Sequence, residues 1–295
     1  MALFSFKSGW EAAPQVMPPD SMAFVIGDVH GHREHLDAML GLLGPEIGRA
    51  RERGIACRLV LLGDYVDRGP CSIGTLRRVA GILDVEDASA HALCGNHDHY
   101  LIEFLFGESP RLEAMEVWCG NGGLTTLAEL GIDAADLAAG DLADLAARAR
   151  AAAGPEVVAV LRRLELYRTI GDYVCVHAGI NPTRPLGEHG RGELLWLREP
   201  FLGGRGWKHP FTAVHGHTIR GPEVFPHRIA VDSGVYRTGI LSAVQLSGNR
   251  LRFFCITSEP KLKAFKRLPG LEQPRRFGSP EPVAASDELA MTAVA

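Results

Sequence analysis

The chain has few cysteines and no closely spaced pair among them. Its six cysteines are scattered over 295 residues, and none belongs to a Cys-x-x-Cys motif. A disulfide framework or a structural zinc site built from thiolates needs cysteines at regular, paired spacing. We therefore expect reduced cysteines, several of which lie in apolar runs and serve as small buried side chains.

Long apolar runs, basic runs and leader-like segments are also missing. A membrane helix needs about 18 consecutive apolar residues, which the sequence lacks. Residues 1–10 contain one lysine and no apolar region followed by a cleavage site, so we expect a cytoplasmic protein without a membrane partner. Because 31 Lys and Arg face 35 Asp and Glu without a basic cluster, nucleic acid is not an expected partner either.

The apolar content, by contrast, is sufficient for a sizeable core. With 46% hydrophobic and 22% charged residues, the composition excludes a disordered or collagen-like chain. Proline-containing stretches without periodicity lie at both ends. We therefore expect a flexible segment over residues 1–20, a folded domain over 21–257 and a disordered tail over 258–295.

Short apolar runs that end in Gly-Asp or Gly-Asn predict buried strands at residues 23–26, 58–62 and 90–94. Apolar residues at helical spacing predict helices over 36–43 and 73–80. This alternation indicates parallel βαβ units and an α/β fold. Five later runs have strand composition and suggest a second sheet: 173–176, 212–214, 228–231, 240–245 and 251–256.

Acidic, amide and imidazole side chains follow the predicted strands. In open α/β sheets, the carboxyl ends of strands meet at the edge where ligands bind. Oxygen and imidazole ligands without thiolates suit Mn²⁺, Fe or Zn²⁺, and their number exceeds the needs of one ion. Two ions can hold a hydroxide and clamp a phosphoryl group. The side chains are Asp28, His30, Asp64, Asp67, Asn96, His97, Asp98, His177, His215 and His217.

Five ordered segments carry a resemblance: Gly27-Asp28-Val29-His30-Gly31, Gly63-Asp64-Tyr65-Val66-Asp67-Arg68-Gly69, Gly95-Asn96-His97-Asp98, His177-Ala178-Gly179 and His215-Gly216-His217-Thr218. They resemble the signatures of the calcineurin-like metallophosphoesterases, and specifically the bacterial branch of the phosphoprotein phosphatases. The resemblance implies a sandwich of two mixed β-sheets flanked by helices, with a catalytic domain over 21–257. Independently of the resemblance, the Ala-, Leu- and Arg-rich stretch over residues 132–166 predicts helix, which we interpret as an insertion or cap, with a plain surface helix as the alternative.

The resemblance further implies a ligand set for two divalent ions, manganese in first place, with iron or zinc as alternatives. Asp28 and His30 would bind the first ion, and Asp64 would bridge both. Asn96, His177 and His217 would hold the second. Related branches carry another histidine where this chain has Ile219, which favours the phosphoprotein phosphatase set.

His97 matches the family's general acid, and Asp67 matches the carboxylate that orients it. An alkoxide leaves poorly at neutral pH, so an imidazolium held by a carboxylate is a suitable proton donor. Arg68 matches a phosphate-binding arginine, and Asn96 is also expected near the phosphate. For the second arginine we choose Arg198, with Arg191 and Arg205 as rivals.

The expected function is a dinuclear-metal phosphoric monoester hydrolase of the serine/threonine protein phosphatase type. Its substrate would be a phosphorylated protein or a small phosphoester, attacked by a metal-bridging hydroxide. The alternative is a dinucleoside polyphosphate hydrolase of the diadenosine tetraphosphate type, in which the position of Asp67 is often not acidic. A third possibility, an inactive scaffold of the same fold, is disfavoured by the complete motif set. The sequence does not indicate an oligomeric state.

Overall fold

The computed structural model describes residues 2–86, 89–107, 112–259 and 277–283. The strands are Phe4–Lys7 (β1), Glu11–Ala12 (β2), Ser21–Ile26 (β3), Ala56–Leu61 (β4), Ala90–Ala92 (β5), Tyr167–Ile170 (β6), Tyr173–Val176 (β7), Thr212–His215 (β8), Glu223–Val224 (β9), Arg228–Ala230 (β10), Ile240–Ser247 (β11), Arg250–Thr257 (β12) and Glu281–Pro282 (β13). The helices are Arg33–Glu52 (α1), Ser72–Glu86 (α2), Asn96–Phe106 (α3), Leu112–Trp118 (α4), Leu124–Glu129 (α5), Ala134–Ala139 (α6), Leu142–Arg163 (α7), Arg191–Trp196 (α8) and Val235–Thr238 (α9).

Two mixed sheets form a sandwich flanked by helices, which confirms the predicted fold class. Within the described residues, the larger sheet has the order β13-β1-β12-β11-β3-β4-β5, with β2 beside β12. The smaller sheet has the order β6-β7-β8-β10-β9. The β3–β4 and β4–β5 pairs are parallel, as the βαβ pattern predicts. The carboxyl ends of these strands therefore meet at one edge.

Alternation along β3 shows why this run is apolar throughout. Phe24 and Ile26 point to the helices, whereas Ala23 and Val25 point to the space between the sheets. Because successive side chains in a strand face opposite sides, a strand covered on both faces has no polar position. A glycine and an aspartate then mark the place where the chain leaves the core.

The helical stretch predicted around 132–166 consists of α6 and α7, and Gly154 interrupts the regular helix within α7. Helix α7 packs against α2 and α3. Its buried residues, such as Leu145 and Val157, belong to the core between the helices and the larger sheet. The stretch is therefore part of the helical layer, and none of its described residues lines the cavity reported below.

The N-terminal segment differs from its prediction. Residues 1–20 were expected to be flexible, but β1 pairs antiparallel with β12, and Phe6 is buried against Ile240 and Cys255. The local sequence, which contains prolines and no periodicity, does not indicate this strand. The strand is stabilised by its pairing with β12, which lies far along the chain. Most of the tail predicted to be disordered, 260–276 and 284–295, lies outside the described residues, and β13 pairs with β1.

The second sheet also contains fewer of the predicted strands than expected. Of the five later runs, β7, β8 and β10 join the smaller sheet, but β11 pairs with β3 and β12 in the larger one. Strand composition predicts a strand without specifying its neighbour. In the part of the chain that is described, no helix is long and apolar enough to cross a membrane.

Candidate active site

The predicted site residues come together at the carboxyl ends of β3, β4, β5, β7 and β8. Several have backbone angles that side-chain-bearing residues rarely adopt, with φ of +42° at His30, +52° at Asp64, +73° at Asp67, +70° at Arg68 and +61° at His217. Such strain persists where the surrounding structure fixes the residue, and it concentrates at functional sites. Five of the six non-glycine residues with positive φ among the described residues lie in this group.

Glycines allow the chain to approach the carboxylates. A Cβ atom at Gly95 would clash with Asp64 Oδ1, and one at Gly216 would clash with Asp28 Oδ1. The Gly-Asn and Gly-His motifs are thus consequences of packing backbone directly against buried carboxylate oxygen atoms, whereas the glycines of the Gly-Asp motifs, Gly27 and Gly63, pack against neighbouring backbone.

Asp64 lies at the centre of the group. Its Oδ2 is 3.4 Å from His30 Nε2, and its Oδ1 is 3.5 Å from His177 Nε2. Two sets of candidate ligand atoms, each within 4.8 Å of one another, share this aspartate: one with His30 and His97, the other with His177 and His217. This placement supports the predicted bridging role, which remains a prediction.

Asn96 and Asp28 complete the predicted ligand set. Asn96 Oδ1 is 3.0 Å from His177 Nε2 and 2.9 Å from His217 Nδ1. Asp28 belongs to neither set of ligand atoms that share Asp64. Its Oδ2 accepts the backbone N–H of His217 at 2.9 Å, which ties β3 to the loop after β8.

The donor atoms suit divalent cations. The buried atoms Asp28 Oδ1 and His217 Nε2 have no hydrogen-bond partner among the described residues. His177 Nδ1 is 2.9 Å from the carbonyl oxygen of Leu62, which can only accept a hydrogen bond, so Nδ1 carries the ring proton. In the neutral ring, Nε2 then has a lone pair, and it faces Asn96 Oδ1, which is also an acceptor. Lone pairs that converge without a proton between them are what a cation site requires. The metallophosphoesterase fold itself implies divalent metal ions.

Electrostatics supports the same reading. Burial lowers the pKa of His177 and lowers the pKa of His30 to about 3, so both imidazoles are neutral and can act as ligands. Burial, followed by the Asp232 and Asp64 carboxylates, raises the pKa of Asp28 well above 3.8. Carboxylates buried this close together repel one another, and a bound cation would relieve this repulsion.

His97 and Asp67 form a buried dyad. His97 Nδ1 lies 2.6 Å from Asp67 Oδ2. Burial alone would lower the pKa of His97, but the Asp64 and Asp67 carboxylates raise it above the ordinary value of 6.5. The protonated form is therefore favoured, as the predicted general acid requires.

Two side chains that the sequence analysis missed hold Asp67 from the other side. Trp118 Nε1 donates to Asp67 Oδ2 at 2.7 Å, and Thr126 Oγ1 donates to Asp67 Oδ1 at 2.6 Å. Trp118 ends α4 and Thr126 lies in α5, so the turn between these helices carries the dyad's support. Gly123 is required there, because a Cβ atom would clash with the Trp118 ring.

Trp118→Phe is expected to lower kcat about 10-fold with little change in KM, because the ring is kept but one donor to Asp67 is lost. Steady-state kinetics on a phosphate monoester measure this. Trp10→Phe, a matched change at a half-exposed indole outside the cavity, should leave kcat unchanged. A folded Trp118→Phe variant with wild-type kcat would remove the positioning role.

Arg68 is anchored at the rim. Its Nη1 is 3.0 Å from His30 Nε2, and its Nε donates to the carbonyl oxygen of Asn121 at 3.2 Å. The guanidinium lies 4.2 Å from the centre of the Tyr236 ring. The segment Asn121-Gly122-Gly123 thus supports an arginine that lines the cavity.

The cavity has a volume of about 380 Å³. Both Arg68 and Arg198 line it, together with Asp64, Asn96, His97 and His217. The rivals Arg191 and Arg205 are not among the lining residues, and Arg191 Nη1 instead lies 3.5 Å from His99 Nδ1. The geometry thus supports the choice of Arg198.

Asp98, Asp232 and His215 occupy supporting positions. Asp98 accepts the backbone N–H groups of Asp64, Tyr65 and Gly95, so it both caps α3 and fixes the loop that carries Asp64. Asp232 is buried and lines the cavity. His215 Nε2 faces Arg228 at 3.5 Å, outside the cavity lining.

Comparisons with known proteins agree with this geometry. Residues 23–235 match the calcineurin-like phosphoesterase family. The chain is 27% identical over 270 residues to the asymmetrical bis(5'-nucleosyl)-tetraphosphatase PrpE of Halalkalibacterium halodurans, covering 83% of this chain and 98% of that one. It is 30% identical over 159 residues to the symmetrical bis(5'-nucleosyl)-tetraphosphatase of Methylococcus capsulatus. This similarity covers 54% of this chain and 43% of that protein. A solved structure provisionally named a diadenosine tetraphosphatase has 23% sequence identity to this chain and a TM-score of 0.51. The superposition covers 80% of this chain and 94% of that structure.

A two-sheet sandwich with oxygen and imidazole groups gathered at its strand ends defines a metallophosphoesterase. The chain belongs to the calcineurin-like phosphoesterase family. Its relatives named here act, by their names, on dinucleoside tetraphosphates, which fits the alternative function better than the expected protein phosphatase.

Proposed function

We propose that this chain hydrolyses dinucleoside tetraphosphates. The observation that carries the proposal is the similarity to the bis(5'-nucleosyl)-tetraphosphatase of Halalkalibacterium halodurans, which extends over 98% of that protein. Because that relative is named asymmetrical, we expect unequal products, a nucleoside triphosphate and a nucleoside monophosphate. Asp67, which the sequence analysis took to favour a protein phosphatase, is compatible with either activity.

The site supports phosphoric anhydride hydrolysis. A tetraphosphate chain carries several negative charges, and Arg68 and Arg198 line the same cavity, where they can bind its oxygen atoms. Divalent ions held by Asp28, His30, Asp64, Asn96, His177 and His217 would supply an activated water and offset phosphate charge. We propose two such ions and expect manganese to be the preferred metal.

The described residues around the cavity have separate tasks. Arg68, fixed by Asn121 and Tyr236, orients the phosphate chain. His97, held by Asp67, can donate a proton to the leaving oxygen when the P–O bond breaks, which matters most when the leaving group is poor. One water is consumed, its oxygen remains on the attacked phosphorus, and two nucleotides are released.

A substrate panel tests the proposal. With purified protein and Mn²⁺, we expect kcat/KM for diadenosine tetraphosphate to exceed that for a phosphoserine peptide at least about 10-fold. Chromatography of the products should show ATP and AMP in equal amounts. The Asp64→Asn variant, prepared identically, controls for contaminating phosphatases. A higher kcat/KM for the phosphopeptide would overturn the proposal in favour of a protein phosphatase.

A further inference from the structure

One wall of the cavity is aromatic, and a metal-bound phosphate alone does not require it. Tyr100, Trp196 and Tyr236 line the cavity beside the two arginines. Trp196 is half-buried, with ring centroids 5.5 Å from His99 and 6.0 Å from Tyr100 in edge-to-face contacts. The hydrophobic core clusters of the described residues do not include this indole. Its large surface thus contributes to the cavity rather than to the core.

The backbone places Trp196 and Arg198 on the same side. Helix α8 ends at Trp196, and Leu197 adopts an extended conformation with φ −64° and ψ 125°. Around an extended residue, the side chains before and after it point the same way, and its own side chain points the opposite way. Leu197 packs against the cluster on the outer face of the smaller sheet, whereas Trp196 and Arg198 both line the cavity.

The other two aromatic residues are already engaged. The ring of Tyr236 lies under the Arg68 guanidinium and in edge contact with His30. Tyr100 packs partly against the main core. Trp196 is therefore the cavity's aromatic surface that lies next to a phosphate-binding candidate and has no cation above it among the described residues.

We propose that Trp196 and Arg198 form a nucleotide subsite, in which the indole stacks on the base of one nucleoside and Arg198 binds the adjacent phosphate. The inference rests on the proposed function and names the part of the site that recognises the nucleoside. Base stacking on an aromatic side chain contributes about 1–3 kcal/mol and depends little on which base is present. Adenine and guanine nucleotides should therefore bind similarly.

We propose to measure the affinities for AMP and for inorganic phosphate by calorimetry on the Mn²⁺-loaded protein. Comparing the two affinities separates the contribution of the base from that of the phosphate. Trp196→Leu should weaken AMP binding about 10- to 100-fold, as expected from the loss of one stacked base. Phosphate binding should stay at the wild-type value. Trp196→Phe keeps an aromatic face and should retain most of the AMP affinity.

Trp10→Leu is the matched control. This indole is 36% exposed, lies over the Arg252 guanidinium at 4.4 Å and does not line the cavity, so both affinities should be unchanged. Equal weakening of AMP and phosphate in Trp196→Leu, or unchanged AMP binding, would overturn the subsite.

The subsite and the proposed function can fail separately. If AMP binding depends on Trp196 but the wild-type protein does not cleave diadenosine tetraphosphate, the subsite stands and the proposed function is wrong. If the wild-type protein cleaves diadenosine tetraphosphate but the Trp196→Leu variant binds AMP with wild-type affinity, the proposed function stands and the subsite is wrong.

Discussion

His97→Asn is expected to slow the hydrolysis of phosphoserine about 10²- to 10⁴-fold, which is the usual contribution of a positioned acid. The serine alkoxide is a poor leaving group, and it departs readily only when a proton arrives with it. His97 is suited to this because Asp67 lies 2.6 Å from its Nδ1 and the nearby carboxylates favour its protonated form. Asparagine cannot donate a proton of comparable acidity.

The dependence on leaving group distinguishes acid catalysis from general damage to the site. p-Nitrophenolate needs little protonation, so p-nitrophenyl phosphate should lose distinctly less rate than phosphoserine. The nucleotide released from a dinucleoside tetraphosphate leaves through a phosphate oxygen that also needs little protonation, and its rate should fall less as well. Asp67→Asn should give the same pattern in a milder form.

His91→Asn provides the matched control. His91 is half-buried on β5 and pairs with Glu165 at 3.2 Å, outside the cavity lining, so its loss should leave both rates intact. Equal losses on phosphoserine and p-nitrophenyl phosphate in the His97 variant, or loss of bound metal from it, would assign His97 an electrostatic or ligand role instead.

Local signals in the sequence were sufficient for the centre of the fold. The strands β3 and β4 are apolar on both faces because helices cover one side and the second sheet the other. The turns after β5 and β8 must contain glycine where the backbone passes a buried carboxylate, as at Gly95 and Gly216. Covered strands and crowded turns therefore leave a readable pattern within a few residues.

Pairings between distant segments leave no such pattern. The β11 strand pairs with β3 through contacts such as Ala243 with Ile26, and β1 pairs with β12. A period-two pattern records that a strand is covered, but not which strand covers it. For the same reason the assignment of β11 and β12 to the second sheet was wrong.

The site divides in the same way. Residues at strand ends could be predicted because topology alone brings strand ends together. Trp118 and Thr126 could not, since they reach Asp67 from helices 51 and 59 residues further along the chain. Trp196 also lies outside the five motifs, so the nucleotide subsite proposed there could not be predicted from them. The motifs therefore indicated phosphoester hydrolysis, but the named relatives fit the alternative function, a dinucleoside polyphosphate hydrolase, better than the expected protein phosphatase.

Asp64→Asn is expected to weaken metal binding more than 10²-fold and to lower kcat more than about 10³-fold, since the charge that faces both ligand sets is removed. The carboxylate has Oδ2 towards His30 and Oδ1 towards His177. An amide of the same shape keeps one acceptor oxygen and no charge, so it bridges two cations poorly. Metal analysis after dialysis and steady-state kinetics measure both effects.

Thermal unfolding shows whether the loss comes from the metal site or from the fold. Burial alone would raise the pKa of Asp64, but the facing imidazoles of His177 and His97 hold it below its ordinary value, so its charge stabilises the metal-free fold. Asp64→Asn should therefore lower the Tm of the metal-free protein moderately while leaving a cooperative transition. A ligand that binds only the folded state raises the Tm, so Mn²⁺ should stabilise the wild-type protein and have much less effect on the variant. Asp84→Asn, which removes an exposed carboxylate paired with Arg163, should respond to Mn²⁺ like the wild type. Two bound ions and near-wild-type kcat in Asp64→Asn would show that the bridging assignment is wrong.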